Sequence, residues 1–204
     1  MAVLLVVTEH PSHLTPAAIE RYEEVRRRVA AVAGIAVERV HYEDARDLSG
    51  AEAVVLSGSH APWAAHDPAV LERLGEEVRA FDGPVLGICA GLQLQALFAG
   101  GSVRHAAAPV AAGYRPIEVI DGGGLLAGLP ARAQVYQHHT DEIAELPEGF
   151  SVLARSEECA IEAVAAPARR WWGTQFHPEP ASREHPDGER VLRNFFELAG
   201  VRAR

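Results

Sequence analysis

The sequence predicts an α/β fold in which helices flank a largely parallel central sheet and the second half of the chain is rich in strands. Three observations support this prediction. Short apolar runs alternate with amphipathic segments through the first half of the chain. Proline and glycine stand where those amphipathic segments begin and end. Further apolar runs, separated by glycine and proline turns, follow in the second half.

The first half predicts alternating strands and helices. The apolar run at 3–7 is typical of a strand buried on both faces of a sheet. Thr15 and Pro16 predict the start of a helix, and Gly34 predicts its end. The apolar stripe of that helix is expected at Ile19, Tyr22, Val25, Val29 and Val32. The remaining predicted elements are strands at 35–42, 53–56 and 84–88, and helices at 67–81 and 92–98.

The second half predicts more strands and one helix. The strands are expected at 117–120, 133–136, 152–154, 160–164 and 171–176. The helix is expected at 187–199, with an apolar face formed by Val191, Leu192, Phe195, Phe196 and Leu198. The chain shows neither an internal repeat nor a linker, so a single domain spanning residues 1–204 is expected.

Composition and charge exclude some functions. The net charge of −9 argues against a protein that binds nucleic acid by neutralising phosphates. The first apolar run lacks a basic leader and a cleavage site, and the longest apolar run is far shorter than the roughly 20 residues that cross a bilayer. A cytoplasmic protein without membrane contact is therefore expected. Its two cysteines do not make a disulfide framework, so each is either a core thiol or a reactive one.

Residues 87–91, Gly-Ile-Cys-Ala-Gly, place Cys89 at a predicted strand-to-helix junction with a glycine two residues away on each side. A side chain on such a turn is strained, and small neighbours make room for it. The sulfur would lie beyond the carboxyl end of the sheet and at a helix N-terminus, which favours the thiolate. A buried core cysteine also fits these five residues, as does the nucleophile of an α/β-hydrolase, so the motif alone leaves the function open.

A thiol nucleophile needs a base, and the base needs an orienting group. His177 and Glu179 follow an apolar run and are two residues apart, so on a strand they would point to the same face. Pro178 between them predicts that the strand ends here or lies at a sheet edge. A surface turn with an incidental ion pair is the alternative, and the catalytic interpretation depends on the cysteine motif.

These motifs together resemble the class I, triad-type glutamine amidotransferases. The family pattern appears as Gly-Ile-Cys-Ala-Gly-Leu-Gln at 87–93 and as Gly-Thr-Gln-Phe-His-Pro-Glu at 173–179. Residues 56–59, Leu-Ser-Gly-Ser, stand where the family carries its oxyanion loop. Segments at 139–143, 146–150, 152–156 and 190–195 are most similar to the glutaminase part of GMP synthetases. The resemblance covers nearly the whole chain and implies a flavodoxin-like fold.

The resemblance also implies roles for individual residues. Cys89 would be the nucleophile, His177 the base, and Glu179 the group that orients the base. Backbone N–H groups of Ala90 and of Ser59 or Gly58 would stabilise the oxyanion. The glutamine pocket would include Gln93, His139 and Asp141. The implied reaction, hydrolysis of L-glutamine, needs no metal or organic cofactor, and its ammonia would pass to a synthetase on a separate polypeptide.

The sequence departs from the family at three places. Ser59 replaces a frequent glycine, residues 60–63 are His-Ala-Pro-Trp, and Gln137-His138 replaces a Ser-His or similar pair. The small residues Gly58, Ala61 and Ala65 predict a movable oxyanion loop and low glutaminase activity until a synthetase docks. The product is left open between GMP and that of a specialised pathway. The alternative functions are those of a stand-alone γ-glutamyl hydrolase and of a non-catalytic regulatory subunit.

Overall fold

The computed structural model describes residues 2–201. Residue 1 and residues 202–204, which the predicted domain includes, lie outside the described part. The first elements are β1 (Ala2–Val7), α1 (Pro16–Ala33), β2 (Val37–His41) and β3 (Ala51–Leu56). Thr15 caps α1 by accepting a hydrogen bond from the Ala18 N–H at 3.2 Å, and Gly34 ends it in the left-handed conformation. The predicted helix boundaries are confirmed here.

The next elements are α2 (Pro68–Ala80), β4 (Val85–Ile88) and α3 (Ala90–Phe98). Asp67 caps α2 through the Ala69 N–H at 2.8 Å, and Pro68 occupies its first turn. Helix α3 begins one residue after the end of β4 and is buried along almost its whole length. The chain therefore turns sharply at Cys89.

The second half contains β5 (Ser102–Val119), β6 (Arg132–Glu145), β7 (Ser151–Arg155), β8 (Ala163–Ala166), β9 (Trp171–Thr174) and α4 (Asp187–Ala199). Helix α4 has the predicted boundaries. The predicted strands at 117–120 and 133–136 are only parts of a long antiparallel hairpin formed by β5 and β6. Much of β5 is exposed, and its alanines, glycine and prolines lack a strong apolar alternation. Among the helices of residues 2–201, none has the length and apolar character needed to span a membrane.

All nine strands form one sheet in the order β2-β1-β3-β4-β9-β8-β7-β5-β6. Strands β2, β1, β3, β4 and β9 are parallel to their neighbours, and β8, β7, β5 and β6 continue the sheet in antiparallel pairs. The predicted fold class is confirmed. The carboxyl ends of β3, β4 and β9 lie side by side, where ligands bind in open α/β sheets. The residues that follow them are Ser57-Gly58, Cys89 and the segment after Thr174.

Three local predictions are wrong. Ile19 on α1 and Leu198 on α4 are exposed, although the helical spacing placed both on buried faces. The buried face of α1 uses Ala18, Tyr22, Val29 and Ala33 instead. Strand β9 ends at Thr174 and pairs with β4 and β8 on its two sides, so it is central in the sheet rather than at an edge. Its proline is accommodated because the strand has already ended.

Candidate active site

Cys89 occupies the turn between β4 and α3 with a backbone φ of +53°, a conformation that non-glycine residues rarely adopt. Its N–H donates to the Thr174 carbonyl at 2.7 Å, which ties the turn to β9. A Cβ on Gly87 would lie 2.6 Å from the backbone of Gly91, and a Cβ on Gly91 would collide with the backbone of Leu56. The flanking glycines therefore let α3 pack directly on the sheet, which holds Cys89 in its strained position.

His177 and Glu179 lie just beyond the end of β9. The His177 N–H donates to the Tyr136 carbonyl at 2.8 Å, which fixes the backbone against β6. The His177 Nδ1 lies 3.4 Å from the Glu179 carboxylate. A Cβ on Gly58 would lie 3.6 Å from the His177 Nε2 and 3.5 Å from the Cys89 Cβ. The imidazole and the thiol therefore flank the same glycine, with the carboxylate behind the imidazole.

The charges at this site favour a protonated imidazole. Burial alone would lower the pKa of His177, but the negative charges of Glu179 and Cys89 outweigh burial and raise that pKa well above its usual value. An imidazolium beside Cys89 stabilises a thiolate, as does the N-terminus of α3. The arrangement can therefore supply both a nucleophile and a proton donor.

The oxyanion loop after β3 is anchored by its own peptide group. The Gly58 carbonyl accepts hydrogen bonds from the hydroxyls of Ser57 at 2.8 Å, Tyr22 at 3.1 Å and Thr8 at 3.3 Å. In a trans peptide the N–H lies opposite the carbonyl, so the Ser59 N–H points away from these hydroxyls. Within residues 2–201, neither the Ser59 N–H nor the Ala90 N–H donates a hydrogen bond. Both remain available to a ligand next to Cys89.

Glu9 holds the rest of this loop, and sequence analysis missed it. Its fully buried carboxylate accepts hydrogen bonds from the Ser59 hydroxyl at 2.8 Å, the Ala61 N–H at 2.9 Å and the His60 N–H at 3.0 Å. The Tyr22 hydroxyl also donates to it at 3.0 Å. The loop is thus clamped, contrary to the expected mobile loop. An acidic residue directly after a buried strand was the available sequence signal.

A cavity of about 510 Å³ opens at the thiol. Its walls include the residues predicted from both motifs and from the segment on β6, namely Ser59, Cys89, Ala90, Gln93, His139 and Asp141. Trp63 donates to the side-chain oxygen of Gln93 at 3.0 Å, and the Gln93 amide donates to the Asp141 carbonyl at 2.8 Å. Gln93 therefore shapes the wall through bonds to protein groups, while the Asp141 carboxylate pairs with His105 at 3.0 Å.

Gln175 is a second residue that sequence analysis did not single out. It is fully buried, its amide donates to the Cys89 sulfur at 3.5 Å, and its oxygen accepts from Gln93 at 3.1 Å. It connects the nucleophile to the cavity wall. On the other side of His177 lies a second cavity of about 440 Å³, whose lining includes Arg21, Tyr136 and Glu179. The imidazole thus separates two open spaces.

The profile of the glutamine amidotransferase class-I family matches residues 19–199 of this chain. The chain therefore belongs to the class I glutamine amidotransferase family, as its motifs predicted. Its relatives include the glutamine-hydrolyzing subunit of the GMP synthase of Pyrococcus abyssi, which is 44% identical over 131 residues. That match covers 63% of this chain and 67% of the relative. The corresponding subunit in Methanopyrus kandleri is 37% identical over 159 residues, which cover 78% of this chain and 80% of the relative.

Solved structures agree with this assignment. A crystal structure from Thermoplasma acidophilum, of a candidate GMP synthase subunit, superimposes with a TM-score of 0.78 and 30% identity, covering 98% of this chain and 94% of that one. A glutamine amidotransferase from Thermotoga maritima superimposes with a TM-score of 0.73 at 19% identity, covering 97% of both chains. The second comparison shows the fold alone.

Proposed function

We propose that this chain is the glutamine-hydrolysing subunit of a two-chain amidotransferase. The observation that supports it most is the meeting of a strained Cys89, on a helix N-terminus, with a His177–Glu179 pair at the mouth of one cavity. The family is defined by glutamine-dependent amide transfer, and the chemistry of these residues fits its first half-reaction. The catalytic roles below are proposals for this chain.

In the first half of the reaction, the Cys89 thiolate attacks the side-chain carbonyl carbon of glutamine. The resulting oxyanion accepts hydrogen bonds from the N–H groups of Ser59 and Ala90, which have no partner among the described residues. When the C–N bond breaks, the His177 imidazolium gives its proton to the departing amide nitrogen, which leaves as ammonia. A γ-glutamyl thioester remains on Cys89.

In the second half, His177 takes a proton from water as the water oxygen attacks the thioester. The C–S bond breaks, glutamate leaves, and the proton on His177 restores the imidazolium–thiolate pair. Glu179 holds the imidazole through its Nδ1 and stabilises the positive charge in both halves. Gln93, His139 and Asp141 line the space for the rest of the substrate.

The ammonia acceptor belongs to a second polypeptide in this proposal. The sequence lacks a Gly-x-x-x-x-Gly-Lys-Ser/Thr phosphate loop, and the relatives are named as glutamine-hydrolyzing subunits of GMP synthases. A GMP synthetase-like partner is the favoured acceptor, ahead of one from a specialised pathway. Arg21 offers a route for communication, because it is exposed at the surface yet reaches Glu9 at 3.8 Å.

The test is ammonia release from glutamine with and without the cognate synthetase and its activated acceptor. We expect a rise of at least about tenfold with the synthetase, which requires about 1.4 kcal/mol of barrier change. Free ammonium should still support product formation by the synthetase with a Cys89→Ala variant of this chain. Fast turnover of γ-glutamyl peptides, unchanged by the synthetase, would instead identify a stand-alone hydrolase.

A further inference from the structure

A second cluster of reactive side chains lies next to the cavity and takes no part in the proposed reaction. It consists of His139 on β6, Cys159 in the turn between β7 and β8, and Glu162 just before β8. All three side chains are at least nine-tenths buried. One nitrogen, one sulfur and one oxygen from these residues lie within 4.8 Å of one another.

The polar atoms of this cluster are unsatisfied. Neither ring nitrogen of His139 and neither carboxylate oxygen of Glu162 has a hydrogen-bond partner among the described residues. Both atoms of the neighbouring Gln137 amide are also unpaired there. Unpaired buried polar groups are rare because each carries a desolvation penalty of about 1–3 kcal/mol. Their convergence on one point therefore indicates a ligand.

The electrostatics indicate that this ligand is a cation. Burial raises the pKa of Glu162 to about 7, with Ser156 and Gln137 only partly opposing it. Burial, and then the charge of Glu162, raise the pKa of the Cys159 thiol. Glu142 adds a further negative charge near the thiol. A bound cation would stabilise the ionised form of every one of these groups.

The backbone holds the three groups in place without a ligand. Cys159 lies in a tight turn closed by the Ser156 N–H on its carbonyl at 2.7 Å and by its own N–H on the Ser156 hydroxyl at 2.9 Å. The Glu162 N–H donates to Ala154 on β7 at 2.9 Å, and its carbonyl accepts from the Gln175 N–H at 2.8 Å. The position is thus preorganised by the sheet on both sides.

We propose that His139, Cys159 and Glu162 bind a zinc ion in a non-catalytic site. An imidazole, a thiolate and a carboxylate form a ligand set that zinc accepts, leaving a fourth position for water. Bonds of about 2.0–2.3 Å would draw the three ligand atoms about 1 Å closer together than their present limit. The protons of the Cys159 thiol and of a neutral Glu162 leave to solvent as the bonds form. The ion would fix His139, and with it one wall of the glutamine cavity.

Cobalt(II) provides the test because a thiolate–cobalt bond gives a charge-transfer absorption band. The protein used is the full chain carrying Cys89→Ser, which removes the only other thiol. We expect one equivalent of cobalt to bind with this band, and zinc to displace it. Adding Cys159→Ser should abolish the band and weaken zinc binding at least about 100-fold in competition with a chromophoric chelator.

A second variant controls for misfolding of the serine variant. Glu162→Gln keeps the thiol and the side-chain shape, so it should retain a cobalt–thiolate band but bind zinc at least about tenfold more weakly. Circular dichroism on each variant establishes that the fold is kept. Absence of a band in the Cys89→Ser chain, or zinc affinity unchanged by Glu162→Gln, would overturn the proposal and leave buried water as the partner of these groups.

Discussion

The two cysteines of this chain are both buried, with exposed fractions of 5% for Cys89 and 1% for Cys159, yet their surroundings differ in every other respect. Cys89 has a positive φ, sits on a helix N-terminus and faces His177. Cys159 lies in a hydrogen-bonded turn among carboxylates, which together with burial raise the pKa of its thiol. Burial is shared, so the sign of the neighbouring charge and the backbone strain distinguish a nucleophile from a thiol that stays protonated without a metal.

The largest expected effect is that of Cys89→Ala. We expect glutaminase activity to fall at least about 10⁴-fold because no other group can form the thioester. The fold should be retained, since only one sulfur atom is lost. The matched control is Leu97→Ala on the exposed face of α3, which should keep its activity. Substantial ammonia release by the Cys89 variant would contradict the assignment of the nucleophile.

Glu179→Gln should have the next largest effect, a loss of up to about 10⁴-fold in kcat, but less than the loss on His177→Ala. The reason is that Glu179 orients and stabilises His177 without touching the substrate. Because Glu179 raises the pKa of His177, the variant should also titrate His177 at lower pH, which NMR of the imidazole can measure. Glu184→Gln, at an exposed carboxylate nearby, should change neither quantity. A wild-type rate in Glu179→Gln would assign the third role elsewhere.

Glu9→Gln tests whether the clamp on the oxyanion loop matters. The amide cannot accept as many hydrogen bonds from the loop, so we expect kcat to fall about 10- to 100-fold with a smaller change in KM. Glu148→Gln, exposed on a turn, is the matched control. If kcat is unchanged while the loop keeps its structure, Glu9 is not a positioning residue.

The same variant has a pH signature. Burial would raise the pKa of Glu9, but hydrogen bonds from His60, Ser59, Ala61 and Tyr22 lower it below the usual 4.5. A depressed carboxyl pKa contributes stability above the unfolded-state pKa, and this is lost as pH falls through the folded-state pKa. The difference in free energy of unfolding between wild type and Glu9→Gln should therefore be largest near neutral pH and shrink below about pH 4.5.

Ser59→Ala should have the smallest effect. It removes one hydrogen bond to Glu9 and leaves those from the His60 and Ala61 N–H groups and from Tyr22. The backbone N–H of residue 59 is also kept, so we expect at most about a tenfold loss in kcat. A loss as large as that of Glu9→Gln would mean that the serine hydroxyl, and not the backbone, controls the loop.

The sequence predicted the parallel half of the fold and the proximity of Cys89 to His177. Both predictions depended on local rules, because helix caps such as Thr15 and the glycines around Cys89 act within a few residues. The β5–β6 hairpin was predicted only in part, since its exposed strands have no clear alternation of apolar residues. The position of His177 at the centre of the sheet depends on strand order, which local pattern does not encode.

Glu9 and Gln175 could not be recognised from their neighbours in sequence. Glu9 contacts a loop 50 or more residues away, and Gln175 contacts Cys89 across 86 residues. Cys159 was predicted to be a core residue, and its burial confirms that prediction. Its approach to His139 and Glu162, however, requires β6 and β8 to be placed in three dimensions.

Labelling with the glutamine-analogue electrophile 6-diazo-5-oxonorleucine tests the central claim most directly, because both cysteines compete within one molecule. Mass spectrometry of the digested protein should find the label on Cys89 and none on Cys159. Excess glutamine should slow the labelling, since both ligands occupy the same cavity. Label on Cys159, or equal labelling of both thiols, would contradict the claim that charge and strain at the β4–α3 turn create the nucleophile.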